Sequence, residues 1–136
     1  MLFLREDSGT TKREELPVFN YERLRVYAEA RVLRKRFRSL AMRLPKEELY
    51  VTSAQLRRSA LSVVLNIVEG SQRITGKEQA RFIEVAHGSL HEAFVCVDEA
   101  EEDGLLPAGS ADALRSDVHR LGGMLGKLRA YYLRQA

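Results

Sequence analysis

Apolar residues recur along the chain at alternating steps of three and four. Val26, Ala30, Leu33, Phe37, Leu40 and Leu44 form one such series, Phe82, Ala86, Ser89, Ala93, Cys96 and Ala100 a second, and Leu114, Val118, Leu121, Leu125, Leu128 and Tyr132 a third. This spacing lays a stripe along one face of a helix, the seam through which helices pack side by side. No stretch alternates with a period of two, so no sheet is expected.

Between the first two series lies QLRRSALSVVLNIVEGSQR, residues 55–73, in which Gln55, Ser59, Ser62, Asn66, Glu69 and Arg73 also step by three and four. They form a polar stripe about 80° wide at 100° per residue. The apolar remainder covers roughly 200°, where a surface helix needs little more than about 100°. Both bundle neighbours, or another subunit, must cover the excess.

Boundary signals divide the pattern into helices near residues 20–44, 53–70, 76–103 and 111–134. Asn20 and Ser110 are candidate N-caps, and Pro45 forbids continuation of the first helix. Thr52 with Gln55 and Thr75 with Glu78 have capping-box spacing. Gly70 and Gly104 stand where a left-handed C-terminal residue is wanted. The short connections force antiparallel neighbours, so the predicted fold is all-α, an antiparallel up-down-up-down four-helix bundle over residues 19–136. Residues 1–18, polar and aperiodic, are expected to form a flexible or extended arm. Gly88, Gly122, Gly123 and Gly126 fall inside helices, each at about 1 kcal/mol relative to alanine. Close approach by another helix would explain them, favouring a homo-oligomer.

At 136 residues the chain is the size of one domain, with 45% hydrophobic and 30% charged residues, as in a soluble globular protein. Its longest uncharged stretch, residues 59–68, is too short to span a bilayer. MLFLRED lacks the pattern of a secretory leader, and the single cysteine, Cys96, cannot form an internal disulfide; a cytoplasmic location is expected.

The net charge of +3 conceals strong segregation. Residues 21–43 carry eight bases against Glu22 and Glu29, whereas DEAEED, residues 98–103, carries five acids and no base. Acids at a helix C-terminus oppose the macrodipole, so bases of the first helix or of a neighbouring subunit are expected to compensate them. Arg31, Arg34, Lys35 and Arg38 share one flank of the first helix, and Arg25, Arg36 and Arg43 the other. Arg57 and Arg58 open the second helix, while Arg73, Lys77 and Arg81 cluster at the next turn. Such bases can track phosphates, arginine through its bidentate fork, and Tyr21 and Tyr27 offer faces for stacking.

Catalytic and metal chemistry have weak support. Ser59 and Ser62 have no base near in sequence. His87 and His91, i and i+4 on what reads as the outer face of the third helix beside Glu84, lack the arrangement of a zinc protease and read more simply as an exposed or interfacial pair. Cys96 reads as a small buried hydrophobe, and His119 has no evident partner. No enzyme activity, metal or cofactor is expected.

RRSALSVVLNIVEGSQR followed by KEQARFIEVAHGSLHEA resembles the four-helix-bundle family encoded in intervening sequences of bacterial 23S rRNA genes, a ribosomal-protein-like family. Gln55, Leu56, Arg57, Arg58, Ser59, Ala60, Ser62, Asn66, Ile67, Glu69, Gly70 and Arg73 match the first part of its pattern, and Phe82, Ala86, Gly88, Ser89, Leu90 and Glu92 the second. Val68 stands where the family usually has alanine. The resemblance runs from about Phe19 to the C-terminus and implies a pentameric ring, with binding to rRNA or the inserted element as the suggested role. More distantly, the chain is similar in fold to the accessory protein of diversity-generating retroelements, also a pentamer, which works with a reverse transcriptase and nucleic acid.

Two functions follow as expectations. The first is a non-enzymatic oligomer binding structured RNA or DNA through Arg31, Arg34, Lys35, Arg38, Arg57, Arg58, Arg73, Lys77 and Arg81. The second is a protein-interaction scaffold or accessory subunit with no nucleic-acid role. In either case Gln55, Ser59, Ser62, Asn66, Glu69, Gly70, Gly88, Ser89 and Glu92 are expected to be structural or interfacial, with Asn66 and Glu69 in a hydrogen-bonded network.

Overall fold

The computed structural model describes residues 3–5 and 16–135. Four helices carry the fold: α1 Arg25–Ala41, α2 Ala54–Ser71, α3 Gly76–Glu102 and α4 Asp112–Arg134. Consecutive helices pack side by side, α2 on α3 most extensively, and α1 closes the arrangement against α4. The chain is an all-α, up-down-up-down four-helix bundle. Among the described residues, strand-like pairing is confined to one bridge between Leu4 and Leu24. Of the arm expected over residues 1–18, residues 1–2 and 6–15 lie outside the described residues; Phe3 meets the Tyr131 ring at 5.0 Å.

The core follows the apolar seams. Every member of the α4 series is buried, as are Val26, Ala30, Leu33, Phe37 and Leu44 of the first series. In α3 the buried stripe is Ile83, Ala86, Leu90, Ala93, Val97 and Ala100, so Phe82, Ser89 and Cys96 shift to its flank. The cause is burial on two sides: α3 packs on both α2 and α4, and branched side chains fill the space between them. Burial of each large apolar side chain contributes roughly 1.5–3 kcal/mol, against roughly 0–1 kcal/mol for an exposed ion pair such as Arg115–Asp112.

Several helix ends differ from expectation. Asn20 does not cap α1; Asn20–Arg23 form a 3-10 turn, and Leu24, extended for its bridge to Leu4, precedes the first turn. The helix stops at Ala41, short of Pro45. Thr52 is no N-cap either: Leu49–Ser53 is a wide π-type turn, and the Thr52 hydroxyl donates to Glu48 Oε2 at 2.6 Å. The buried Ser53 hydroxyl donates at 3.1 Å to the carbonyl of Ala41, satisfying an acceptor at the end of α1.

Thr75 caps α3 as expected, accepting from the amide of Glu78 at 3.2 Å. Gly104 ends that helix with φ +74°. Its amide donates to the carbonyl of Glu101, and that of Leu105 to the carbonyl of Ala100, the paired bonds of a Schellman motif. Gly70 has a different role: it is buried inside α2, and a Cβ there would lie 3.1 Å from the Gln79 carbonyl oxygen. Its missing side chain lets α2 and α3 approach.

Ser110 donates to the carbonyl of Pro107 at 2.6 Å rather than capping α4. Glu101 does that instead, its Oε1 accepting from the amide of Ala111 at 2.8 Å. One carboxylate of the acidic run thus stands at the positive end of α4, where the macrodipole favours it. Two ion pairs join α1 to α4, Arg36–Asp117 at 2.5 Å and Glu29–Arg120 at 2.9 Å.

Candidate nucleic-acid interface

The antiparallel turn between α1 and α2 brings distant parts of the sequence together. Arg34 and Arg38, one turn apart on α1, face Arg57 and Arg58 on the first turns of α2. The four arginines surround a groove of about 400 Å³ whose remaining lining is Ala54, Ala60 and Leu61. Among the described residues, no carboxylate lines it.

Local contacts hold part of this cluster. Arg57 Nε donates to the Ser53 hydroxyl at 3.4 Å and its Nη2 to the carbonyl of Leu49 at 3.5 Å. Arg58 reaches Gln55 Oε1 at 3.4 Å. These partners are neutral, so they orient the guanidiniums without cancelling their charge. With no carboxylate among the described lining residues, that charge is available to a phosphate, which each guanidinium can meet with two parallel donors.

The other predicted bases divide. Arg31 lies over the Tyr27 ring, 5.6 Å from its centroid, and Lys35 is exposed beside it on α1. Tyr27 meets Tyr21 edge-on at 5.1 Å, and Tyr21 stacks on Phe19 at 5.8 Å, so these rings already have partners. Arg36 turns away to bind Asp117 and the carbonyl of Ala113 at 2.9 Å. Arg73, Lys77 and Arg81 occupy the opposite pole, about 20 Å away along the axis of α2. There Arg73 and Arg81 flank the Phe82 ring at 4.8 and 5.2 Å, and each pairs with an acid, Arg73 with Glu69 and Arg81 with Glu78. The predicted basic set is therefore two patches with different electrostatics.

The polar stripe of α2 is resolved by its partners. Ser59 is buried and bonds back to the carbonyls of Gln55 and Leu56 at 2.9 and 3.2 Å. Ser62 shares a 2.8 Å hydrogen bond with Ser89 of α3, and Asn66 Nδ2 donates to the carbonyl and hydroxyl of Ser62 at 2.9 and 3.0 Å. Asn66, Ser62 and Ser89 thus form a polar junction between the two helices, while Glu69 stays outside it, paired with Arg73. Gln55, Gly88 and Glu92 line a second groove between α2 and α3.

His91 is exposed and His87 partly buried at the contact of α3 with α4. Their rings, 4.7 Å apart, lie against Gly122 of α4, where a Cβ would meet His87 Nε2 at 3.4 Å. Burial, then the neighbouring His91, lowers the pKa of His87 below its ordinary value. Glu84 pairs instead with Arg129 at 3.5 Å. Cys96 is only half-buried, and burial followed by the Glu92 charge raises its thiol pKa. Among the described residues, no group of three His, Cys, Asp or Glu is placed to hold a metal ion, and no helix is long and apolar enough to cross a membrane.

Sequence reasoning missed Ser53, Glu48 and Glu101. Ser53 and Glu101 act through partners lying across a turn, a relation that helical periodicity does not encode, whereas Glu48 meets Thr52 four residues on.

The fold is an all-α bundle that carries an arginine-lined groove between α1 and α2. The chain belongs to the family of 23S rRNA-intervening sequence proteins, whose model matches residues 22–127 and so spans all of α1, α2 and α3 and most of α4. No curated protein matches the chain closely enough to add a relative.

Proposed function

We propose that this protein is a non-enzymatic, cytoplasmic RNA-binding subunit acting on structured, rRNA-related RNA. The family's description ties its members to 23S rRNA intervening sequences, and the observation that carries the reading is the groove of Arg34, Arg38, Arg57 and Arg58, with no carboxylate among its described lining residues. Arg31 and Lys35 extend the positive surface along α1. The groove supplies phosphate contacts rather than base readout, since it presents guanidiniums over small apolar residues. Shape and backbone recognition of folded RNA fit that chemistry.

The active form is a homo-oligomer, a pentamer on the resemblance noted above. Gly123 and Gly126 support assembly: both lie within α4, exposed, with no atom near the position of a side chain. Among the described residues, nothing explains their helix cost of about 1 kcal/mol each.

The test is a titration with a structured 23S rRNA fragment, with duplex DNA as control, across a salt series, alongside light scattering for particle mass. RNA binding should weaken linearly in log[salt], and each arginine of the groove changed to alanine should reduce the slope by about 0.7–0.9. Absence of binding at low salt, or an unchanged slope in the four-arginine variant, would overturn the reading. A monomeric mass at working concentration would overturn the assembly.

A further inference from the structure

The acidic run leaves most of its charge unexplained by the fold. Glu101 caps α4, but Glu99 and Asp103 project along a groove of about 630 Å³ between the start of α2 and the second half of α3. Glu92 extends the acidic edge along α3, and Glu48 faces it from the turn before α2. Among the described residues, no arginine or lysine lines the groove. Its interior is apolar: Val51, Val95, Ala100 and Leu105, with Cys96 beside them. Val51 is 68% exposed and Val95 53%. A Cβ added at Gly88, also in this lining, would meet no atom, so the groove stays open along the helix.

The geometry fixes the kind of occupant. Glu92 and Glu99 are seven residues apart, about 10 Å along α3, and Asp103 stands one further turn on. An apolar floor edged by acids at heptad spacing matches a helix with an apolar stripe and flanking bases at the same spacing. Nucleic acid is repelled by this surface. A cationic helix would also neutralise carboxylates at the C-terminal end of α3, where the macrodipole disfavours them.

We propose that the α2–α3 groove is a docking site for a basic amphipathic helix of a partner protein, on a different face of α2 from the arginine groove. The surface extends beyond RNA binding and stands without it: one face takes a polyanion, the other a cationic protein segment.

The experiment uses the full chain and two fluorescein-labelled synthetic peptides. One is an amphipathic leucine–lysine helix with lysines at heptad spacing; the other has the same lysines with serine replacing leucine. The leucine peptide should bind with 1:1 stoichiometry and at least about tenfold more tightly than the serine peptide. Glu92→Gln combined with Glu99→Gln should weaken it by about tenfold or more while leaving the RNA titration unchanged. Both side chains are exposed, and a thermal melt confirms that the double variant keeps its fold. Equal binding of both peptides would reduce the groove to a counter-charge and overturn the proposal. So would a double variant that binds like the parent, or one whose particle mass changes, since the groove would then be a contact between copies. Loss of RNA binding alone, with peptide binding intact, would count only against the RNA reading.

Discussion

A methyl group at Gly70 sets two effects of similar size against each other. In an exposed helix, glycine to alanine gains about 1 kcal/mol from backbone entropy and helix propensity. At Gly70 the new Cβ would lie 3.1 Å from the Gln79 carbonyl oxygen, 3.2 Å from the Phe82 Cβ and 3.3 Å from Ile83 Cδ1. The Ile83 methyl can rotate away, but the other two atoms are fixed to the backbone of α3. Relief therefore requires α2 and α3 to separate by a few tenths of an ångström along the most extensive contact in the bundle. Overpacking of this kind costs roughly 1–3 kcal/mol, so Gly70→Ala should be net destabilising by about 0–2 kcal/mol. For a domain of this size that lowers Tm by up to about 8 °C. Gly88→Ala is the matched control, because nothing lies near its Cβ position; it should raise Tm by about 3–5 °C. Far-UV circular dichroism melts of parent and both variants, at one protein concentration, read the difference. Gly70→Ala melting above the parent, or Gly88→Ala melting below it, would refute the reasoning.

Other measurements probe other parts of the bundle. Asn66→Ala removes two donations to Ser62 and should lower stability by about 1 kcal/mol; an unchanged melting point would show that the α2–α3 junction does not need it. Glu101→Ala leaves the Ala111 amide without its acceptor and should cost about 1 kcal/mol, with amide exchange accelerating first at the start of α4. The lowered pKa of His87 means that the unfolded chain binds more protons than the native one below its ordinary 6.5. Its contribution is therefore full above pH 6.5 and is lost as pH falls from there through the native value. Thermal melts from pH 7.5 to 5 should show that decline, and His87→Gln should flatten it.

The fold was legible in this sequence because its core pattern is redundant. Each residue of the α4 stripe, from Leu114 to Tyr132, is buried where the spacing puts it. In α3 two stripes share Ala86, Ala93 and Ala100, and both step by three and four. One continues through Phe82, Ser89 and Cys96, the other through Ile83, Leu90 and Val97. Only packing on two sides selects the second. Gly70 presented the same ambiguity, since glycine serves a left-handed end and a close approach equally well. The arginines were legible by position on each helix, but their division was not. Joining Arg34 and Arg38 to Arg57 and Arg58 requires the turn that folds α1 onto α2, and separating them from Arg73 requires the length of α2.

The uneven closure of the bundle has a dynamic consequence. α2, α3 and α4 form a continuous packed unit, whereas α1 meets α4 across a thinner seam fastened by Arg36, Asp117, Glu29 and Arg120. Cooperative openings begin where the buried contacts are fewest, so the seam between α1 and α4 is expected to open before the α2–α3 contact does. Because α1 carries Arg34 and Arg38, half of the arginine groove exists only while that helix is docked. A polyanion bound across the groove would then act as a clasp, slowing amide exchange throughout α1 while leaving the α3–α4 pair almost untouched.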